Sequence, residues 1–148
     1  MSRAPTLRLV GVVESALDDK GEAPKQADEG APPATLRIEP EFAACCEGLR
    51  AGEEVFVFTW LDRADRSVQA VHPRGDRNRP LTGVFATRSP VRPNPIGTSI
   101  VKLVGVEGNV VLVRGLDCLD ETPLLDIKPD RCEFTPLASP QAGDFETE

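Results

Sequence analysis

Arg88, Arg92 and Asn94 stand among Pro90, Pro93 and Pro95 in the stretch Val84-Phe-Ala-Thr-Arg-Ser-Pro-Val-Arg-Pro-Asn-Pro-Ile-Gly97. Two guanidiniums and a carboxamide are groups that bind oxyanions and polar edges. Proline fixes φ at about −65°, lacks an N–H, and pushes the residue before it into an extended conformation. Here those preceding residues are Ser89, Arg92 and Asn94. The segment is therefore expected to be neither helix nor central strand but a stiff extended loop. Such a loop has little ordering entropy left to lose when a ligand binds. Arg92 and Asn94 are the candidate substrate contacts. Asparagine reads an adenine edge through paired hydrogen bonds, and arginine grips phosphate or carboxylate. The competing reading is a plain connection whose side chains brace its own carbonyls.

Charge places this loop in a distinctive setting. The chain of 148 residues carries a net charge of −7. Residues 1–62 hold 6 Lys/Arg against 12 Asp/Glu, and residues 93–148 hold 4 against 10. Residues 63–92 reverse the balance, with 7 Arg and 2 Asp. Overall acidity argues against indiscriminate nucleic-acid binding. The island of Arg63, Arg66, Arg74, Arg77, Arg79, Arg88 and Arg92 reads as a local patch for phosphates, or else as a solvated loop.

Other chemistries are poorly served. The cysteines are Cys45, Cys46, Cys118 and Cys132, and no pair has C-x-x-C spacing. With His72 as the single imidazole, a transition-metal site is not expected. Adjacent Cys45 and Cys46 have poor disulfide geometry, so free thiols are expected. No apolar run of roughly 18 residues predicts a membrane span. The start Met1-Ser-Arg-Ala-Pro5 lacks the apolar core of a signal peptide. A cytoplasmic protein is expected.

The elements that must carry the loop read as short strands. Thr6–Val13 alternates and then runs apolar, and Ala34–Glu39 is a short strand. Pro40–Gly48 suits one or two helical turns closed by glycine. Val55–Leu61, β-branched and aromatic, predicts a buried strand. Ser67–His72 predicts a half-buried strand, Pro73–Pro80 a polar loop, and Thr82–Ala86 a strand entering the proline-rich segment. Thr98–Val106 and Asn109–Leu116 flank Glu107-Gly108-Asn109 and predict a β-hairpin. Leu124–Ile127 is a last strand. Residues 18–34 read as a mobile loop or insertion, and residues 136–148 as a loose polar tail. A chain of this length is expected to form one domain. The domain spans residues 1–135, all-β with little helix, as a barrel or sandwich.

Two blocks also carry a family resemblance. Gly83-Val-Phe-Ala-Thr-Arg-Ser-Pro90 with Arg92-Pro-Asn-Pro-Ile-Gly97 resembles the signature of the TsaA-like family, the TrmO-type tRNA methyltransferases. Leu116-Asp-Cys-Leu-Asp-Glu-Thr-Pro-Leu-Leu-Asp-Ile-Lys-Pro129 resembles that family's second motif. A weaker match is Val10-Gly-Val-Val13, followed by Pro24-Lys-Gln26. The resemblance covers roughly residues 7 to 130. It implies a small β-barrel that dimerises, S-adenosylmethionine as cofactor, and methyl transfer to N6 of the threonylcarbamoyl-adenosine 3′ of the tRNA anticodon. It would place the tRNA on the basic island of residues 63–92.

Carried over residue by residue, the resemblance implies a cofactor site of four clusters. These are Pro24, Lys25 and Gln26; Asp62 and Arg63, matched by position; Arg88 with Thr98; and Leu119, Asp120, Glu121, Thr122 and Pro123. It names no catalytic base. Three departures stand out. Lys25 replaces the family's usual arginine and loses its bidentate fork. Glu121 replaces a usual glycine and, having a Cβ, takes φ > 0 less easily, so a different turn is expected. Val13-Glu-Ser-Ala-Leu17 stands where the family often has Ser-Pro-Tyr. No Rossmann G-x-G-x-x-G follows a strand. Two alternatives therefore stay open: a methyltransferase for another RNA or a small molecule, and a non-catalytic S-adenosylmethionine-binding module.

Overall fold

The computed structural model describes residues 4–15 and 33–130. Eight strands run through them: β1 Gly11–Glu14, β2 Ala34–Ile38, β3 Glu54–Trp60, β4 Ala70–Val71, β5 Thr82–Gly83, β6 Ile96–Glu107, β7 Val110–Arg114 and β8 Pro123–Pro129. Six of them close a barrel in the order β1-β2-β7-β6-β3-β8, and β4 and β5 form a separate two-stranded sheet. Every pairing is antiparallel. Closure removes the exposed edges that would invite aggregation.

Period-two alternation decides what fills the barrel. Val55, Val57 and Thr59 point inward from β3, meeting Val13, Leu36, Val101, Leu103, Val111, Val113 and Leu124. These branched side chains leave no open lumen; the interior is a packed core. Phe56, Phe58 and Trp60 therefore lie on the outer face of β3 and are only partly buried. The expected buried strand is thus present but buried fully on one face only. A continuous apolar run hides the alternation when some of its members face outward.

Other bounds also differ from the sequence reading. Thr6–Val13 is strand only from Gly11, because its partner β2 ends at Ile38, opposite Gly11. Pro40 then starts a 3-10 helix, Pro40–Cys46, so Leu7 and Leu9 are left exposed. The Ser67–His72 strand shrinks to β4, since β5 offers only Thr82 and Gly83 as partners. Thr82–Ala86 ends early because Val84–Ala86 forms a single 3-10 turn. Thr87 closes that turn by donating both its N–H and its hydroxyl to the Val84 carbonyl. The hairpin at Gly108 is present, with Glu107 opposite Val110 and Gly108 at φ 63°. The expected tail, 136–148, and most of the 18–34 loop lie outside the described residues.

Candidate functional site

Strand direction gathers the candidate residues at one barrel end. Trp60, the last residue of β3, pairs with Ile96, the first of β6. Thr59 pairs with Leu124 near the start of β8, and Val12 of β1 pairs with Pro123. Glu14 at the end of β1 pairs with Thr35 near the start of β2. Among the described residues, the connections at this end are therefore residues 61–66, the proline-rich loop entering β6 and the turn 119–123. All three carry candidates. A depression of about 450 Å³ lined by Ala43, Cys46, Val106 and Gly108 sits at the opposite end and is no part of this site.

The proline-rich loop is a loop from Thr87 to Pro95 only. Its ends form the Val84–Ala86 turn and the first residues of β6, which corrects the expectation that no part of it is helix or barrel strand. Pro95 is fully buried, and its carbonyl accepts from Leu61 N at 2.8 Å. Gly97 lies so close to β3 that a Cβ there would stand 2.6 Å from Thr59 Oγ1. Arg88 donates from Nη2 to the Thr98 carbonyl at 2.8 Å, so these two candidates do meet. Arg92 uses Nη1 to brace the loop, donating to the Thr87 and Ser89 carbonyls at 3.1 and 3.0 Å. Its remaining donors make no bond among the described residues.

The second cluster is stitched to β1. Ser15 N donates to Asp120 Oδ1 at 2.9 Å, Glu121 N to the Val13 carbonyl at 2.7 Å, and Val13 N to the Thr122 carbonyl at 2.9 Å. Thr122 is buried, and its hydroxyl donates to the Leu119 carbonyl. Thr122 thus closes the turn, while Glu121 is exposed at its tip with φ 67°. The turn expected to change at this departure keeps a left-handed residue without glycine. Asp62 and Arg63 are exposed on the connection after β3. Pro24, Lys25 and Gln26 lie outside the described residues.

Trp60 and Phe85 were not singled out by the sequence reading, and Arg66 entered it only as a member of the basic island. The Arg66 guanidinium lies 5.1 Å from the Trp60 ring centroid and donates to Pro93 O at 2.7 Å and Asn94 Oδ1 at 3.1 Å. The preceding turn is set by Asp65, whose Oδ1 accepts from Ser67 N and Oγ; those bonds hold its carboxyl below the usual aspartate range. Phe85 is 85% exposed beside buried Val84. Strict alternation along β3 would have flagged Trp60; no local signal pairs Arg66 with Asn94.

The thiols do not read as nucleophiles. Burial pushes Cys118 up to about 11, only partly offset by Thr59 Oγ1 at 3.7 Å. Burial also raises Cys46. Both stay protonated at neutral pH, and the thiolate is the reactive form. Among the described residues, no cluster of three His, Cys, Asp or Glu side chains could hold a metal ion, and no helix is long and apolar enough to cross a membrane.

A closed six-stranded antiparallel barrel with its polar loops gathered at one end defines the structural class. Within it the chain belongs to the tRNA-methyltransferase O N-terminal domain family, whose model matches residues 12–134. It is 44% identical over 133 residues to the probable S-adenosyl-L-methionine-binding protein VirR of Rhizobium radiobacter, covering 90% of this chain and 75% of that one. A probable S-adenosyl-L-methionine-binding protein of Methanothermobacter thermautotrophicus is 42% identical over 123 residues, covering 83% of this chain and 88% of that one. The crystal structure of TrmO from Pseudomonas aeruginosa superposes with a TM-score of 0.70 at 31% identity, covering 98% of this chain and 64% of that one. The chain thus spans less than two thirds of the solved TrmO chain.

Proposed function

We propose that this protein is a methyltransferase that uses S-adenosylmethionine to methylate N6 of threonylcarbamoyl-adenosine beside the tRNA anticodon. The observation that carries the reading is the meeting of both motif blocks at one barrel end, where Arg88 bonds Thr98 and the 119–123 turn is sewn to β1. The donor set there fits such a cofactor. Arg63 and Arg88 suit its carboxylate, and Asp62, Asp120 and Glu121 suit its ammonium group. The cofactor would supply a methyl group already activated on a sulfonium. The protein's part is then positioning, which can supply on the order of 7–11 kcal/mol. Arg92 and Asn94 would orient the substrate. A carboxylate or carbonyl at this barrel end would accept the proton released from N6.

The basic island would hold the tRNA backbone, and a homodimer would set two islands to work together. A second copy has an apolar face to meet: Phe56, Phe58, Ile96 and Ile100 on the outer side of β3 and β6, with Ile96 44% and Ile100 47% exposed. A monomer by light scattering at micromolar concentration would remove the dimer from the proposal. A second reading, a module that binds the cofactor without transfer, is favoured by the names of the relatives and by Glu121 at the motif's glycine position.

Calorimetric titration with S-adenosylmethionine, with S-adenosylhomocysteine as comparison, tests the pocket first. Saturable binding at one site per chain is expected, and no binding at millimolar ligand would defeat both readings. Incubation with tRNA lacking the methyl group then separates them. Transfer to N6 supports the enzyme, and binding without turnover on any RNA supports the module.

A further inference from the structure

Asn94 has almost no freedom left. Its backbone is held by buried Pro95 and by Ile96 N, which donates to the Asn94 carbonyl at 2.8 Å. Its side-chain oxygen accepts from Arg66 Nη2 at 3.1 Å, and the same guanidinium reaches Pro93 O at 2.7 Å. Arginine is a donor and never an acceptor, so the amide oxygen, not the nitrogen, must face it. Asn94 Nδ2 makes no hydrogen bond among the described residues. The amide is thus turned to present its two N–H donors away from Arg66.

Arg66 is itself placed by two elements. Its guanidinium lies over Trp60, the last residue of β3, and its backbone follows the Asp65–Ser67 turn. It thereby fastens the 61–66 connection, which carries Asp62 and Arg63, to the proline-rich loop. A lysine could keep a charge above the indole, but a single ammonium cannot reproduce the planar fork that serves both acceptors.

We propose that Arg66 is a positioning residue that fixes Asn94 as a hydrogen-bond donor, so that the loop selects an oxyanion of the ligand. This rests on the functional reading above and deepens it. Within the proposed substrate two oxyanions have this chemistry, the backbone phosphates and the carboxylate of the threonylcarbamoyl group.

The test uses Asn94→Asp, which removes the donors yet offers Arg66 a better, charge-assisted acceptor. Affinity is read by fluorescence anisotropy on two anticodon stem-loop RNAs, with and without the threonylcarbamoyl group. S-adenosylhomocysteine is kept saturating throughout. The melting temperature is expected to hold or rise, while the dissociation constant rises about tenfold or more. Loss on both RNAs assigns the contact to phosphate, and loss on the modified RNA alone assigns it to the carboxylate. Asn78→Asp, adding the same charge on the connection between β4 and β5, measures general repulsion. A loss at Asn94→Asp no greater than at Asn78→Asp overturns the proposal, as does wild-type affinity. Arg66→Lys is expected to weaken binding, and the double variant to add little beyond Asn94→Asp, since both act through one contact. Wild-type affinity in Arg66→Lys would overturn the positioning role. If the unaltered protein binds neither RNA, the functional reading itself falls, a failure visible before any variant is made.

Discussion

Glu121 is the residue where sequence and structure pull hardest against each other. Its backbone is left-handed at φ 67°, a conformation that costs an L-residue about 1–2 kcal/mol. The bonds from Glu121 N to Val13 and from Ser15 N to Asp120 hold the turn in that shape regardless. Glu121→Gly removes the strain but adds about 0.5–1 kcal/mol of backbone entropy cost. The net expectation is a gain of up to about 1 kcal/mol, a rise of roughly 2–4 °C in melting temperature for a chain of this size. A fall instead would show that the glutamate side chain makes a stabilising contact of its own. Arg88 poses a different question, because it is exposed and holds one carbonyl. Arg88→Ala is expected to leave the melting temperature nearly unchanged while weakening S-adenosylmethionine binding by about 1.5–3 kcal/mol. Unchanged affinity in calorimetry would assign Arg88 to bracing β6 alone. The sequence made Arg88 legible through its motif. It could not show Arg66, whose partners lie 27 and 28 positions away.

At the scale of elements, the close approach of β3 and β6 makes the site rigid. The Pro95 carbonyl bonds Leu61, and Gly97 leaves no room for a methyl group against Thr59 Oγ1 and Leu61 Cδ2, at 2.6 and 3.2 Å from a Cβ. Gly97→Ala is expected to destabilise the fold by about 1–3 kcal/mol through overpacking, measured by chemical denaturation. Stability within error of the parent would mean that Thr59 and Leu61 yield freely and that the loop is less firmly seated than the distances indicate. Most strands could be read in advance, because alternation and turn residues are local signals. Their ends could not, because a strand stops where its partner stops: Thr6–Leu9 fails for want of β2 beyond Ile38, and Ser67–Gln69 for want of a longer β5. The outward face of Phe56, Phe58 and Trp60 was hidden for a related reason. Barrel closure, not hydrophobicity, chose which side of β3 to bury.

Across the whole molecule, positive charge is concentrated in one stretch of the chain. An acidic chain with a net charge of −7 gathers 7 Arg and 2 Asp into residues 63–92, and part of that stretch stands outside the barrel. The β4–β5 sheet carries Arg74, Arg77 and Arg79 in its connection, all exposed. The Arg79 guanidinium has only a 3.7 Å ion pair with Asp76, and the Arg74 and Arg77 side chains make no bond among the described residues. The charge island was visible in the sequence; its lodging on a sheet separate from the core was not, since that depends on which strands pair. This placement makes a salt test informative. Each phosphate contact contributes about 0.7–0.9 to the slope of log affinity against log salt, because binding releases condensed counterions. Replacing Arg74, Arg77 and Arg79 together by alanine is expected to reduce that slope for tRNA by about 2 if all three touch the backbone. Cofactor affinity is expected to stay unchanged, because none of these three arginines belongs to the proposed cofactor site. A slope equal to the parent's would show that tRNA does not lie on this sheet. Binding would then have to be carried by Arg63, Arg88 and Arg92 at the barrel end, three cations that can meet only a few phosphates.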